Sequence, residues 1–492
     1  MATSEESVEG HWDEAQLDRP EREGDSKLEQ QGIAPIPDSG RYGRNFRAFT
    51  VWFAPNLVIA AVFTGTIATA SFIGLSLWGG IAAILLGNLI GALPASYMVR
   101  MGPRTGMPQL AVSRIAFGKS IALPGVLMWL TTIAWDGLNA LFGAEAMVVL
   151  LHVPFWLGLV VIIAVQGALA VFGYEFIHTF EKWMTVVLGI FFVILTIKVA
   201  QAGNIHIVAQ THGANQVGGF ILMVTIVAGF TIGYAGYASD YSRYMKRNTS
   251  NWGLGWRAVA GLGISSAWLE ILGLLVASKI AVDQTSAGIY HFLGGGFLGA
   301  LGMITIVLGT IAIDAMDDYS GSLSLQSTGI EIPRPISAVL VAIGGFGVAL
   351  YMFEGHALAT FENIILFSAY WTTPFAAIVI VEWMLRKGRV DVRTILNFSA
   401  MESGWAALLT LLISFGVSVP FMNTSLYVGP IASGPLHGGD IAYYVGFLVA
   451  GLIYYPLRRM TMPSHLRGIA DEAAESHSPQ EHATGIGGGG AV

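Results

Sequence analysis

Residues 217–240 read VGGFILMVTIVAGFTIGYAGYASD, and they carry no charge before the final aspartate. A run of this length and apolarity is sufficient to cross the hydrocarbon of a bilayer, which takes about 20 residues in a helix. Similar runs recur along the chain, and we predict an all-α polytopic membrane protein with about 12 transmembrane helices. The predicted spans are 50–75, 78–99, 123–151, 154–174, 183–201, 217–240, 257–281, 296–326, 334–353, 361–385, 404–422 and 440–457.

Composition supports the same class. Of the 492 residues, 54% are hydrophobic and only 12% are charged, whereas a soluble domain carries about 25% charged residues. Such an apolar surplus requires lipid as the solvent for much of the surface, so the lipid bilayer is an expected partner. The absence of cysteine excludes disulfides, thiol catalysis and cysteine-based metal sites. We expect no cofactor, no metal site and no nucleic-acid partner, and the sequence leaves the oligomeric state open.

The two ends of the chain differ from the middle. Residues 1–44 and 461–492 hold 15 of the 32 acidic residues and lack hydrophobic periodicity, which predicts disordered tails. The helical membrane domain then spans 45–460. An even number of spans places both tails on one side, and the basic residues show which side this is. Nearly all of them fall on the side of the tails, and the opposite loops hold only Lys198 and Lys279. This pattern predicts cytoplasmic termini and a location in the cell membrane.

Two helices contain matching clusters of glycine and threonine. Helix 1 contains Val62-Phe-Thr-Gly-Thr66 and helix 6 contains Gly229-Phe-Thr-Ile-Gly233, each about a dozen residues into its span. Transporters built as inverted repeats often break the first helix of each half at mid-membrane, where backbone groups then face substrate and ion. We therefore predict breaks at both clusters. The alternative is that these glycines only allow close helix packing.

Four ordered motifs carry a resemblance to a known family. They are the loop Gly102–Gly118 (GPRTGMPQLAVSRIAFG), the end of helix 6 at Tyr237–Tyr244 (YASDYSRY), the end of helix 8 at Asp318–Gln326 (DYSGSLSLQ), and Tyr370-Trp371 followed by Glu382. Together they resemble the nucleobase:cation symporter family, specifically its purine/cytosine permease branch. The resemblance implies a LeuT-type 5+5 inverted repeat, with repeats at about 50–201 and 217–385, and two extra helices at about 404–457.

The resemblance also implies a substrate site between helices 3 and 6. Trp135 and Asn139 lie four residues apart on one face of helix 3. A flat base could stack on Trp135, and Asn139 offers a hydrogen-bond donor and an acceptor to its edge. On helix 6 the second aromatic is either Phe230 or Tyr234, with Thr231 as a polar neighbour. The alternative for helix 3 is a packed aromatic and an interhelical amide bond.

Helix 8 bears on the coupling ion. In sodium-coupled relatives this helix supplies hydroxyls to the cation, opposite backbone carbonyls of the broken helix 1. The resemblance thus implies that Thr64 and Gly65 are the helix-1 residues of the coupling-ion site. The equivalent stretch, Gly309–Asp318, instead carries Asp314, Asp317 and Asp318 on one helical face. Like charges so close favour protonation of at least one carboxylate, so we expect H+ rather than Na+ as the coupling cation, with Asp317 also near the substrate. The alternative is a solvated cytoplasmic exit.

These features predict a secondary active transporter that imports a nucleobase, either cytosine or a purine such as adenine, guanine or hypoxanthine, by alternating access. A related ring (hydantoin, allantoin, uracil or a vitamin pyrimidine) with sodium coupling is the alternative. A membrane sensor or an integral membrane enzyme is a remote one, since no catalytic constellation is found. Glu145 and Glu270 lie within spans and have no predicted partner, whereas we expect Asp240 and Arg243 to form a structural ion pair.

Overall fold

A computed structural model describes residues 32–41, 45–172, 174–281, 285–330, 332, 334–464 and 466. Most of the two predicted tails therefore lies outside the described residues. The segment Gly32–Arg41, which falls within the predicted disordered N-terminal tail, is described and packs against the protein. Disorder was therefore the wrong expectation for these ten residues.

Twelve long helices run through the described part of the chain, and we number them α1 to α12. The first has two parts, α1a (Asn45–Phe53, extended by the 3-10 turn Ala54–Asn56) and α1b (Ile59–Thr66, extended by Ile67–Thr69). The others are α2 (Leu77–Met98), α3 (Ala122–Leu151), α4 (Phe155–Phe172), α5 (Tyr174–Ala202), α6a (Ala214–Ile232), α6b (Ala238–Ser242), α7 (Asn251–Val276), α8 (Gly296–Ser327), α9 (Arg334–Tyr351), α10 (Ala357–Leu385), α11 (Trp405–Ser418) and α12 (Ala442–Thr461).

Length and hydropathy single out fewer of these helices as membrane spans. Seven helical stretches in the described residues are long and apolar enough to cross a bilayer, and the bent pair of α1 makes an eighth. One of the seven, Val339–Leu385, contains both α9 and α10, joined through the turn Met352–His356. The remaining helices are α4 and α11, which are apolar but shorter by this measure, and α12. Twelve predicted spans thus correspond to twelve helices.

The break in helix 1 does not lie where the glycine pattern predicted it. The chain bends by 66° between Phe49–Asn56 and Ile59–Thr69, so the interruption is at Leu57 and Val58. Pro55 precedes it and lacks the N–H that would continue the helical ladder. The predicted break at 62–66 is wrong, because those residues form regular helix and Thr64 Oγ1 donates to the Ala60 carbonyl at 2.9 Å.

Gly65 has a packing role. A Cβ placed on this residue would lie 1.8 Å from the backbone oxygen of Glu270, and one on Gly273 would lie 1.9 Å from the oxygen of Val62. Helices α1b and α7 therefore touch backbone to backbone, which small residues make possible in membranes. The alternative of packing glycines is correct for helix 1.

Helix 6 is interrupted close to the predicted cluster. Regular α-helix ends at Ile232, and Gly233–Tyr237 forms a 3-10 segment in which Tyr237 has φ −134° and ψ 25°. A Cβ on Gly233 would meet no atom within 4 Å, so the interruption borders open space. The prediction for helix 6 holds, with the change of geometry at the C-terminal end of the cluster.

The helices pack as two four-helix groups. One group contains α1, α2, α6 and α7, and the other contains α3, α4, α8 and α9. Helix α5 packs on α8, while α10 contacts α6 and α12, and α11 packs on α12. We call the first group the bundle and the second the scaffold. The end of the molecule that bears the loop Val99–Ile121 is called the inner end, following the predicted orientation.

The α1b–α7 contact gives a test of the packing. We expect Gly65→Ala to lower the unfolding free energy by about 1–3 kcal/mol, because the added methyl group overlaps rigid backbone. Thermal melting of the purified protein in detergent measures this effect. The matched control is Gly263→Ala on α7, where a Cβ would meet no atom within 4 Å. Equal melting temperatures for both variants would contradict the packing role.

Candidate functional site

The two predicted aromatic partners meet between scaffold and bundle. The rings of Trp135 on α3 and Phe230 on α6a lie 5.5 Å apart, nearly perpendicular at 80°. Phe230 is almost fully buried, whereas Trp135 is only partly so. An edge-to-face pair across two helices brings two aromatic rings together, and such rings are the surfaces on which a flat molecule stacks. Of the two helix-6 candidates, Phe230 is therefore the one that faces Trp135.

Tyr234 and Thr231 point elsewhere. Tyr234 packs edge-on against Trp52 of α1a at 6.1 Å and against Tyr237 at 5.3 Å, one turn closer to the inner end than Phe230. The hydroxyl of Thr231 donates to the carbonyl of Ala228 and lies against Gly91 of α2. The expectation that Thr231 lines the substrate site is wrong, because its side chain faces into the bundle.

Asn139 and the helix-8 carboxylates lie at the α3–α8 interface. Thr310 donates to the Asn139 carbonyl at 3.3 Å, and the Asn139 side chain lies near Asp314. Asp314 and Asp318 are 0% and 1% exposed. Both oxygens of each carboxyl lack a hydrogen-bond partner among the described residues. The predicted alternative of solvated carboxylates at an exit is thus wrong for these two residues.

Asp317 occupies a different position from its two neighbours. At 8% it is the most exposed of the three helix-8 carboxylates, and Tyr234 and Tyr237 are close enough to sense its charge. It therefore lies at the boundary between scaffold and bundle, beside the interruption of helix 6. This is the position from which a carboxylate can contact both the substrate path and the buried pair.

Sequence analysis missed a fourth carboxylate, Asp136. This residue on α3 is fully buried, and the side-chain amide of Gln166 on α4 donates to it. It is close enough to Asp317 and Asp318 for their charges to interact. The signal was present, since a charged residue directly after Trp135 in an apolar span is a functional candidate by default. Asp136 was not among the predicted site residues because it does not share the i, i+4 spacing that relates Trp135 to Asn139.

The broken helix 1 faces an apolar pocket. Residues of α1, α5 and α8 line it: Ala54, Pro55, Leu57, Val58, Met184, Thr185, Leu188, Gly309, Ala312, Ile313 and Met316. Thr185 is the one side-chain hydroxyl in that lining, and helix α8 contributes none. The predicted coupling residues Thr64 and Gly65 lie beyond the break, in intact α1b. Their assignment to an ion site at the break is therefore wrong. The described residues contain no group of three or more His, Cys, Asp or Glu arranged to hold a metal ion.

The inner end of the site is closed by hydrogen bonds to α8. Arg243, just after α6b, donates to the Tyr319 hydroxyl at 2.6 Å and to the Gly32 carbonyl at 2.8 Å, so the N-terminal segment takes part. Tyr241 and Ser320 are joined by their hydroxyls at 3.1 Å. Helix α6b of the bundle is thus tied to α8 of the scaffold just below the carboxylates.

Asp240 has a partner other than the predicted Arg243. It accepts a hydrogen bond of 2.8 Å from the backbone N–H of Gln109, at the start of the loop helix Gln109–Phe117. Asp240 therefore anchors the start of this loop helix, and Arg243 is close enough for its positive charge to act on the same carboxylate. At the other end of the same loop helix, Arg114 donates to the carbonyl of Ser327 at the end of α8. This loop helix connects the two helix groups at the inner end.

A buried carboxylate also lies within the bundle. Glu270 of α7 accepts a hydrogen bond from the side-chain amide of Asn88 on α2 and is fully buried. Glu145 of α3, also unassigned from the sequence, lies near Ser286 of the short helix Thr285–Phe292. Neither residue contacts the Trp135–Phe230 pair. Glu270 nevertheless gives a reference carboxylate outside the α3–α8 interface.

The Arg243–Tyr319 contact generates a test of inner closure. Because a hydrogen bond to a charged group contributes about 1.5–3 kcal/mol, Tyr319→Phe should raise the accessibility of the site from the inner end at least about tenfold. The chain has no cysteine, so a single Gly233→Cys reporter can be labelled with a membrane-impermeant thiol reagent in inside-out vesicles. Tyr455→Phe, at a half-exposed tyrosine of α12, is the control. Equal labelling rates in both variants would contradict the closure.

The comparison with protein families covers most of the chain. The model of the family described as permease for cytosine/purines, uracil, thiamine, allantoin matches residues 35–446. A putative purine-cytosine permease of Bacillus subtilis is 28% identical over 445 residues, covering 88% of this chain and 96% of the relative. A purine-cytosine permease of Emericella nidulans is 27% identical over 455 residues, covering 88% of each protein.

Solved structures share the fold. The inward-facing conformation of Mhp1 superposes with a TM-score of 0.73 at 18% identity, covering 92% of this chain and 98% of Mhp1. A closed conformation of Mhp1, a nucleobase-cation-symport-1 family transporter with bromovinylhydantoin bound, gives 0.68 at 19% identity, covering 91% and 100%. These matches confirm the predicted all-α, LeuT-type fold. With the family match over most of its length, the chain belongs to the family of permeases for cytosine, purines, uracil, thiamine and allantoin, and it is a membrane transport protein, not an enzyme.

Proposed function

We propose that this permease imports a nucleobase, cytosine or a purine, by symport with a proton. The observation that carries the proposal is the juxtaposition of the Trp135–Phe230 ring pair with the buried carboxylates of α8 at the interruption of helix 6. The rings supply a stacking surface for a flat heterocycle, and the carboxylates supply proton-binding groups beside it. The purine-cytosine permeases among the relatives support the substrate class.

Asn139 and Asp317 suit the polar edge of such a ring. A nucleobase presents alternating donors and acceptors along its edge, and an amide offers one of each. Asn139 follows Trp135 by one helical turn, so both side chains can reach one ligand. Asp317 lies across the interface beside Tyr234, and a carboxylate there accepts from an exocyclic amino group. In this arrangement α3 contributes two contacts, Trp135 and Asn139, while α6 contributes Phe230 and α8 contributes Asp317.

The pocket at the α1 break favours a proton over sodium. A hard cation requires several oxygen ligands, yet the α8 face toward the break consists of Gly309, Ala312, Ile313 and Met316. The carboxylates of α8, at Asp314, Asp317 and Asp318, do not line this pocket. Protonation of one of these carboxylates cancels the charge that sodium would otherwise cancel. One proton moving down 100 mV releases about 2.3 kcal/mol, sufficient for about fortyfold accumulation of substrate.

A related ring with sodium coupling is the second candidate. A vitamin B6 transporter of Saccharomyces cerevisiae is 22% identical over 468 residues, and one Mhp1 structure holds a hydantoin. Backbone carbonyls near Leu57 together with Thr185 would then have to bind the ion. We further propose that the protein resides in the cell membrane with both termini in the cytoplasm, as the distribution of basic residues predicts.

Trp135 gives the direct test of the substrate surface. Trp135→Ala should weaken base binding about tenfold to a hundredfold, because stacking on an aromatic side chain contributes about 1–3 kcal/mol. The measurement is a binding titration of purified protein with cytosine, adenine, guanine, hypoxanthine, uracil and hydantoin. Trp78→Ala, at a tryptophan that is 76% exposed on α2, is the control. Unaltered affinity in the Trp135 variant would show that this ring only packs.

The coupling ion is tested in proteoliposomes. We expect wild-type uptake to follow an imposed proton gradient and to ignore a sodium gradient, because the α8 side chains that line the pocket at the helix-1 break carry no oxygen. Asp317→Asn should abolish the gradient-driven accumulation and retain exchange of labelled base across the membrane, since an amide cannot carry a proton.

The matched control for this measurement is Glu270→Gln, which alters a buried carboxylate away from the α3–α8 interface. Asp314→Asn tests whether Asp314, the second candidate, carries the proton. Uptake that follows sodium alone would overturn proton coupling, as would an unaltered response to pH in both the Asp314 and Asp317 variants.

A further inference from the structure

Asp136 is seated in a position built to hold a carboxyl group. Its side chain accepts from the amide of Gln166 on α4, and α9 presents Gly345 on the other side. A Cβ on Gly345 would lie 1.9 Å from Asp136 Oδ2, so a larger residue there would force the carboxylate to move. Three scaffold helices thus contribute to one fully buried acid, whose Oδ2 has no hydrogen-bond donor among the described residues.

The register of α3 against α8 places Asp136 beside the helix-8 carboxylates. Close contacts join Gly125 to Ser324 and Gly143 to Thr310, so the two helices run antiparallel. Between these contacts, Asp136 falls opposite Asp317 and Asp318, and Asn139 falls opposite Asp314. A Cβ on Gly321 would reach Thr132 Oγ1 at 2.5 Å, which shows how closely the two backbones approach in this region.

Charge forbids four ionised carboxylates in this environment. Ion pairs at the inner end join arginines to Asp38, Glu382 and Glu402. Around Asp136, α8 supplies three further aspartates, α4 an amide and α9 a glycine, while Tyr234 and Tyr237 of helix 6 face Asp317. An unpaired buried charge costs several kcal/mol, and like charges add repulsion. Protons must therefore neutralise most of the cluster.

We propose that Asp136, held by Gln166 and seated on Gly345, is a second proton-binding site of this permease, which exchanges its proton with Asp318 and Asp314 of α8. The inference rests on the proposed symport and extends it, because it adds Asp136 as a second proton-binding residue next to Asp317, the proposed proton carrier at the substrate path. Asp317 lies beside helix 6 at the proposed substrate path, whereas Asp136 is fully buried among scaffold helices. A proton stored on Asp136 is shielded from water while the bundle moves.

The transfer step requires no group from outside the cluster. An O–H bond of one protonated carboxyl breaks as an O–H bond to a neighbouring carboxylate forms, so the proton moves and the total charge stays constant. The free Oδ2 of Asp136 and the four unpartnered oxygens of Asp314 and Asp318 can accept it. The Gln166 amide stabilises the charged form that remains when Asp136 gives up the proton.

The experiment is an infrared titration of the full-length protein in lipid without substrate. Asp136→Asn should remove one protonated-carboxyl C=O band that disappears as pH rises. In Asp318→Asn this band should titrate about one pH unit or more lower, because a neighbouring negative charge has gone. Glu270→Gln, the matched control, should leave the Asp136 band in place and its titration unaltered. Gln166→Leu keeps Asp136 and removes its hydrogen-bond donor, so the titration of the Asp136 band should move to higher pH. This variant replaces Asp136→Asn as the test if Asp136→Asn fails to fold.

A band that does not titrate, or one that ignores Asp318→Asn, would overturn the proposal. Transport gives a second readout in proteoliposomes loaded with a pH-sensitive dye. Asp136→Asn should take up fewer protons per cytosine or adenine imported than wild type, and an unaltered ratio would count against the site. If wild type transports no nucleobase while the infrared coupling persists, then the proposed substrate fails and the proton site stands.

Discussion

The structure depends on one constraint, that a polar group within the hydrocarbon must find its partner inside the protein. Regular helices satisfy their own backbone, so exceptions are confined to places where other helices enclose them. The interruption of helix 1 follows this rule. Asn56 donates to the Trp52 carbonyl and accepts from Ser266 of α7, and the bend is thereby held within the bundle. The interruption of helix 6 lies against the scaffold in the same way.

The same constraint explains where the polar side chains collect. The α3–α8 interface holds Asp136, Asn139, Thr310 and three aspartates in the middle of otherwise apolar helices. Lipid could not accept these groups, and the close approach of α3 to α8 through glycines shields them. An interface that is both close-packed and charged cannot be neutral without protons. The proposed proton binding follows from this packing of carboxylates between the two helices.

Hydrogen bonds at the inner end link this interface to helix 6 of the bundle. Helix α8 carries the carboxylates in its middle and Tyr319 and Ser320 immediately after them. Tyr319 and Ser320 bond to Arg243 and Tyr241, which belong to the helix-6 segment beyond the interruption. Asp317 therefore lies within one helical turn of the contacts that hold bundle and scaffold together, so a change in its protonation occurs next to them. This proximity offers a physical route by which protonation and opening could influence each other.

The family resemblance implied that an aromatic of helix 6 lies opposite Trp135. The sequence alone was sufficient to predict the membrane class and the number of helices. Each of these follows from composition or from local spacing, which a helix converts directly into geometry. The sequence did not locate the break in helix 1, because glycine serves both packing and breaking, and the local signal was Pro55. It could not choose Phe230 over Tyr234 or exclude Thr231, since one turn of helix separates a residue facing the scaffold from one facing the bundle. Only the tertiary structure placed Asp136 against Gln166 and Gly345, because these contacts join α3, α4 and α9, and their register is set by packing between helices far apart in the chain.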